Sequence, residues 1–207
     1  MSQAVSLAGT KIVLRPLRAE HAQAIVAATA DGSLAGNLYT TIPNADTIEA
    51  YMAYAATSVA SGDAIPFVTT LADTGEVIGS SRLWRIDSKN RKLEIGHTWI
   101  SPSWQRTFVN TEAKYLMLRY AFEVIDCLRV EFQTDELNTQ SREAISRLGA
   151  TFEGIARKER VMPDGRQRNS ARFSLTDDDW PAVRDRLEAA LRKHGVEPAF
   201  SVIVKAA

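Results

Sequence analysis

Between residues 91 and 134 the hydrophobic period changes twice, and this narrows the available folds more than any other feature. The run "RKLEIGHTWISP" (91–102) is β-prone. After Pro102, Ala113, Leu116, Met117, Tyr120, Ala121 and Val124 fall on one helical face. "LRVEFQTD" (128–135) then alternates as a strand. Two strands joined through such a helix make a parallel crossover. The loop opening the helix matters most, because a helix N-terminus beside a strand end at a crossover is where open α/β sheets place ligands. Its sequence, "SPSWQRTFVNTEAKYLML" (101–118), lacks the glycines that let a backbone approach an anion closely. A run of free backbone N–H groups at a helix N-terminus is the real requirement, and glycine is the easiest way to meet it. Phe108 can point into the core, Asn110 can hold an unusual backbone turn or cap the helix, and Arg106 and Thr107 add a charge and a hydroxyl. The other reading is a plain helix cap with anion binding lost.

Around this unit, "KIVLRPL" (11–17) is a strand and "AEHAQAIVAATA" (19–30) a helix. A loop-rich stretch (31–46) leads to a second helix, capped by Asp46 or Thr47 and ended by Gly62. "IPFVTTLA" and "GEVIGSSRLWRID" join 91–102 in an antiparallel meander through Asp73-Thr74-Gly75 and Asp87-Ser88-Lys89-Asn90. Asn138 to Leu148 is a helix ended by Gly149, and "ATFEGIARKERV" with "RQRNSARFSL" is a hairpin across Pro163-Asp164-Gly165. A last helix starts at Thr176 or Asp177 with Pro181 in its first turns, and residues 194–207 are a tail with no clear partner. This order implies one α/β domain over 1–193, with a mixed, largely antiparallel central sheet and helices on both faces. Twenty-five basic side chains balance 25 acidic ones, which disfavours a nucleic-acid surface. No apolar run approaches the roughly 20 residues of a membrane span, and the N-terminus lacks a secretory pattern, so a cytoplasmic protein is expected. Cys127, the single cysteine, excludes an internal disulfide and a cysteine zinc cluster, and reads as a buried small hydrophobe.

"IVLRPL", "GEVIGSSRL", "LEIGHTWISPSWQ", "NTEAKYLMLRYAFEVIDCLRVEF" and above all "DELNTQSREAISRLGATFEG" occur in an order and spacing that resembles the GCN5-related N-acetyltransferases over nearly the whole chain. The likeness is strongest to the branch with the ribosomal-protein N-terminal acetyltransferases. The last stretch looks like the family's Asn-x-x-Ser followed by Leu-Gly-(Phe)-x-x-(Glu)-Gly, with Ala150 at the Phe position. The resemblance implies the acyl-CoA N-acyltransferase fold. It implies acetyl-CoA as cosubstrate in a V-shaped gap between the fourth and fifth strands, and direct transfer to a primary amine of a protein N-terminus or small molecule. No metal is needed, and a homodimer is compatible with it. Strand "EIGHTWI", with Ile100, would splay from "RVEF" and leave backbone groups for the pantetheine arm. The pyrophosphate pattern Gln/Arg-x-x-Gly-x-Gly/Ala falls on Gln105, Arg106, Thr107, Phe108, Val109 and Asn110, followed by Thr111, and both small positions depart from it. The resemblance places Asn138 at the cofactor and Ser141 near its sulfur, as hydrogen-bond donor to the leaving thiolate. It makes Glu94 the general base, acting through water.

Each assignment has a plainer alternative. Glu94 could be an exposed strand carboxylate paired with Lys92 or Arg91, and Asn138 and Ser141 could simply cap a helix. His97, three residues after Glu94, projects from the opposite face unless a β-bulge lies near Gly96. Trp99 reads as core, while Trp84 and Trp104 stay open between packing and the acceptor pocket. Tyr39 lies where related enzymes build acceptor specificity. Arg157, Lys158, Arg160, Arg166, Arg168 and Arg172 read as a solvated face interspersed with Glu153 and Glu159. Two other functions fit the same fold: a non-catalytic acyl-CoA-binding module, and a partner protein whose tail "AFSVIVKAA" adds a strand to a neighbour's sheet.

Overall fold

The structure is a computed structural model that describes residues 5–30, 34, 39–162 and 164–204. Part of the expected loop at 31–46, and Pro163 of the expected hairpin turn, lie outside the described residues. Strands β1 (Val5–Ala8), β2 (Ile12–Pro16), β3 (Ala64–Leu71), β4 (Val77–Asp87), β5 (Lys92–Ile100), β6 (Arg129–Asp135), β7 (Thr151–Val161), β8 (Gln167–Thr176) and β9 (Ser201–Val204) form one sheet. Its order is β7-β8-β6-β5-β4-β3-β2-β1-β9, and every neighbouring pair is antiparallel except β5 and β6. The double change of period therefore produces the crossover it demands.

Helices α1 (Ala22–Thr29) and α2 (Ile48–Ala60) cover one face of the sheet, and α3 (Val109–Arg119) and α5 (Trp180–Lys193) the other, while α4 (Thr139–Leu148) follows β6. Strand alternation decides which side chain meets which layer. On β4, Ser80 meets the Tyr51 hydroxyl of α2 at 3.0 Å, whereas Ser81 meets Thr98 on the α3 side at 2.7 Å. Leu83, Ile95, Leu116, Met117, Val130, Phe173 and Leu187 build the larger core under α3 and α5. Ile25, Val68, Val77 and Trp99 build the smaller one under α1 and α2. Each fully buried aliphatic side chain contributes roughly 1.5–3 kcal/mol. Cys127 packs in the larger core, and burial pushes its thiol up to about 11.

Three elements differ from the expectation. The tail finds a partner within its own chain: Val196 is buried in the larger core, and β9 pairs with β1 from Val5↔Val204 to Ala8↔Ser201. Strand β1 has no counterpart in the sequence reading, because four residues carry too little alternation and its outer partner lies nearly 200 positions away. The last helix starts later than Thr176 or Asp177, with Asp179 at its N-cap position. Asp179 Oδ2 accepts from the Thr176 N–H and hydroxyl at 2.9 and 2.8 Å, which ties the end of β8 to the helix. The first turn of α3 is fixed as well. Buried Glu112 accepts the N–H groups of Thr10 at 2.6 Å and Lys11 at 3.0 Å through Oε1, so the β1–β2 turn clamps the helix start. Among the described residues no helix is long and apolar enough to cross a membrane.

Candidate active site

Strands β5 and β6 pair at Lys92↔Arg129, Leu93↔Val130 and Glu94↔Glu131, and there the ladder stops. On their far sides β5 stays paired to β4 as far as Ile100, and β6 to β8 as far as Asp135. Residues 95–100 and 132–135 thus face each other across a wedge with unpaired backbone edges, a template for an extended polar chain. A cavity of about 920 Å³ opens there, lined by β5 from Glu94 to Ile100, by Gln105, Arg106, Thr107, Asn110, Thr111 and Lys114, and by Asn138 and Ser141 of α4.

The glycine-less loop delivers its N–H groups without glycine. The first helical bond of α3 runs from the Glu112 N–H to the Phe108 carbonyl, 2.9 Å. The N–H groups of Val109, Asn110 and Thr111 precede it. Thr107 Oγ1 accepts that of Val109 at 3.3 Å, which leaves Asn110 and Thr111 at the cavity wall. Phe108 and Val109 do not line the cavity: Val109 is fully buried, and Phe108 packs on the core with its ring edge-on to Trp104, centroids 6.2 Å apart. The unusual backbone turn expected of Asn110 is made instead by Arg106, with φ +61°, while Asn110 lies inside the helix.

Strand β5 differs more. Ser80 pairs with Trp99 and Arg82 with Gly96, so His97 and Thr98 together stand opposite Ser81. This is a β-bulge, with His97 at φ +52°. The extra residue resets the alternation, and His97 shares the cavity wall with Glu94, contrary to the opposite-face expectation. Its ring packs edge-on against Trp84 at 4.8 Å. Burial first, then the positive charges of Arg82, Arg160, Arg85 and Arg168, push His97 down to about 4, so it is neutral at physiological pH.

Glu94 is not the exposed carboxylate paired with Lys92 or Arg91. It is 3 % exposed, and its partner is Arg85, Nη1 to Oε2 at 3.2 Å. Arg91 pairs with Asp126 and Lys92 with Glu131. Arg85 reaches Glu94 from a second irregularity in β4, at φ +50°, with its guanidinium 4.4 Å over the Trp84 ring. Burial raises the Glu94 carboxyl to about 7, against the pull of Arg85 and with the help of Glu131. Gly96 keeps the approach open, since a Cβ there would come within 2.7 Å of Trp84 Nε1 and 3.4 Å of Glu94 Oε1.

Across the wedge, Asn138 Oδ1 accepts from the Ser141 N–H at 3.0 Å and caps α4. Ser141 lines the cavity, and among the described residues its hydroxyl has no hydrogen-bond partner. The cap therefore uses the Asn138 side chain and the Ser141 backbone, and leaves the Ser141 hydroxyl unengaged. Gly149 ends this helix at φ +99°. Trp99 lies in the smaller core, Trp84 and Tyr39 line the cavity, and Trp104 supports Phe108. Lys114 was missed by the sequence reading. It is buried, its Nζ donates to Thr98 Oγ1 at 3.0 Å, and burial lowers it to about 8. Its position four residues after Asn110, on the same helix face, was the available signal.

A mixed, mostly antiparallel sheet that opens into a wedge between its two parallel strands, with a helix N-terminus at its side, is the acyl-CoA N-acyltransferase fold. Residues 11–151 match the acetyltransferase (GNAT) domain, and the chain belongs to this family. It is 31 % identical over 106 residues to "Putative ribosomal N-acetyltransferase YdaF" of Bacillus subtilis (strain 168), a match over 51 % of this chain and 57 % of that protein. The chain thus spans little more than half the length of this relative. A GCN5-related N-acetyltransferase structure from Brucella melitensis shares 30 % identity, with a TM-score of 0.79 over 91 % of this chain and 88 % of that one. Mycobacterium smegmatis RimJ in complex with CoA-disulfide has the same fold at 22 % identity, with a TM-score of 0.75 over 95 % of this chain and 96 % of that one. The Bacillus relative is one named as a ribosomal N-acetyltransferase.

Proposed function

We propose that this chain transfers the acetyl group of acetyl-CoA directly to a primary amine. The observation that carries the reading is the ladder that stops at Glu94↔Glu131, with free amides of α3 on one side and Glu94 at the apex. The donor fits the residues present. The edge of β5 through Ile100 would hold the pantetheine arm. The Asn110 and Thr111 amides, Gln105 and the Arg106 charge would hold the pyrophosphate, while Phe108, Val109 and Thr107, whose hydroxyl is spent on the Trp104 carbonyl at 2.7 Å, shape the loop from behind.

Glu94, titrating near 7, is matched to take the proton of the acceptor ammonium, directly or through a water. The free nitrogen then attacks the thioester carbonyl and forms the C–N bond; as the C–S bond breaks, the nitrogen sheds its second proton, which water carries to the departing thiolate, and the Ser141 hydroxyl donates a hydrogen bond to that sulfur. His97, held neutral, adds no charge to oppose the ammonium. Thiol release over a panel of amines and peptides, with acetyl-CoA binding followed by calorimetry, tests the reading. Donor binding without thiol release for any amine would leave an acyl-CoA-binding module.

The two residues of α4 should separate in the same assay. Ser141→Ala is expected to lower turnover about tenfold while donor affinity stays nearly intact, because a hydrogen bond to the leaving sulfur strengthens in the transition state. Asn138→Ala is expected to cost about 1 kcal/mol of stability through the lost cap, and to weaken donor binding with it. Unchanged turnover in Ser141→Ala with a good acceptor would leave Ser141 no part in the chemistry.

A further inference from the structure

The basic side chains of the β7–β8 hairpin do not form one solvated face. Arg166 pairs with Asp135 and Arg172 with Glu159, each at 2.6 Å. Arg168 is only 7 % exposed and lines the cavity. Among the described residues its one hydrogen bond is Nε to Ser170 Oγ at 3.0 Å, which leaves both terminal nitrogens without an acceptor. Its register partner across the hairpin is Arg160, which also lines the cavity and pairs with nothing among the described residues. Like charges directly opposed across a ladder repel, and a buried cation without a partner is costly. In the sheet nearby, Arg82 is 1 % exposed and lies 4.8 Å and 5.0 Å from the ring centres of Tyr51 and Tyr54, and among the described residues none of its three guanidinium nitrogens is hydrogen-bonded. Among the described residues, of the four arginines whose charge reaches His97 only Arg85 forms an ion pair, with Glu94, while Arg168 feels Asp135, Glu159 and Glu94 at longer range.

This surplus of positive charge stands beside the place where an acceptor must approach Glu94. It disfavours an ammonium there and so assists its deprotonation, but by the same token it repels a simple cationic amine. We infer that Arg168, with Arg160 opposite it, receives a carboxylate of the acceptor, so that the substrate is a primary amine carrying a carboxylate a few bonds away. A guanidinium fork matches a carboxylate in two parallel hydrogen bonds, and the carboxylate would separate the two opposed arginines electrostatically. The inference rests on the amine-acetyltransferase reading for its substrate, and on the unpaired arginines for its charge. The carboxylate has two possible sources, the α-carboxylate of a free amino acid or an acidic side chain at the second position of a peptide.

Two matched pairs test it: alanine against alaninamide, and a peptide beginning Ser-Asp against one beginning Ser-Asn. In at least one pair the acid should have a kcat/KM about ten- to a hundredfold higher, the range of a charge-assisted hydrogen bond, and the pair that responds names the source. Arg168→Met should lower kcat/KM for the acid by about that factor and bring the pair within about twofold, and Arg168→Lys should keep part of the preference. Arg160→Met, at an exposed position, should reduce the preference less, and serves if the buried substitution fails to fold. No acid preference in either pair, or a preference untouched by both substitutions, overturns the inference. A binding arm separates it from the reading it rests on: calorimetry of the CoA-loaded protein with N-acetylalanine against N-acetylalaninamide, and with the two N-acetylated peptides. Tighter binding of an acid that depends on Arg168, in a protein that turns over no amine, would sustain the carboxylate site and sink the transferase. Turnover of amines without any preference for the acid would do the reverse.

Discussion

Glu94→Gln is expected to lower turnover at pH 7 by about two orders of magnitude, the scale for one positioned base, while the protein becomes more stable. The two effects share a cause. The carboxyl is 3 % exposed and rises from 4.5 to about 7 because burial penalises its charge. The fold therefore prefers the protonated form. Stability from Glu94 is fully present below about 4.5, and is lost as the pH rises through about 7. Ionising this group inside the fold costs on the order of 3 kcal/mol more than in the unfolded chain, and glutamine, which cannot ionise, avoids that cost. The variant should gain about 6–12 °C in Tm at pH 8 and nothing at pH 4. Wild-type activity should rise with pH through about 7, and the variant should recover partly at high pH, where more of the amine is already neutral. Thermal melts and rate profiles between pH 5 and 9 check both limbs. Full activity of the variant across neutral pH would make Glu94 structural, and an unassisted neutral amine would then explain the chemistry, since His97 at about 4 is too weak a base.

What the sequence disclosed was set by how far apart the interacting residues lie. The crossover, the meander and the helix from Asn138 to Gly149 were legible because each rests on a period or a cap within about a dozen residues. The placing of His97 was not. Parity along β5 gives the wrong face; Gly96 marked where a bulge could reset it, but the bulge arises from the pairing of β5 with β4, which the local sequence does not fix. The environment of Glu94 was hidden in the same way. Its partner Arg85 reaches it through an irregularity in another strand, so the sequence offered Lys92 and Arg91, its near neighbours, instead. The six basic residues of the hairpin illustrate the limit best. Composition makes them a solvated patch, and only the register that sets Arg168 against Arg160 over the cavity separates the paired from the unpaired.

The other large effect should come from the loop that lacks glycine. Asn110→Glu is expected to weaken CoA binding about a hundredfold without unfolding the protein. The amides of Asn110 and Thr111 precede the first helical bond of α3 and line the cavity, where the helix N-terminus favours negative charge. A carboxylate at residue 110 would compete for that field. At about 5 Å from a phosphate charge, with an effective dielectric constant of about 20, the repulsion is roughly 3 kcal/mol, which corresponds to about a hundredfold in affinity. The helix itself should not suffer, because an acidic side chain in the first turn stabilises it by about 0.3–1 kcal/mol. A Tm at or above that of wild type would thus accompany the loss of binding, which distinguishes a blocked phosphate site from a damaged fold. Salt offers a second check: the deficit should shrink between low and high ionic strength as the repulsion is screened. Asn110→Gly, which restores the small residue of the family pattern, should bind within a few-fold of wild type, since the amides and not the side chain make the cradle. If Asn110→Glu binds CoA as tightly as wild type, the phosphates do not lie at the start of α3, and the wedge between β5 and β6 must hold the donor by its pantetheine arm alone.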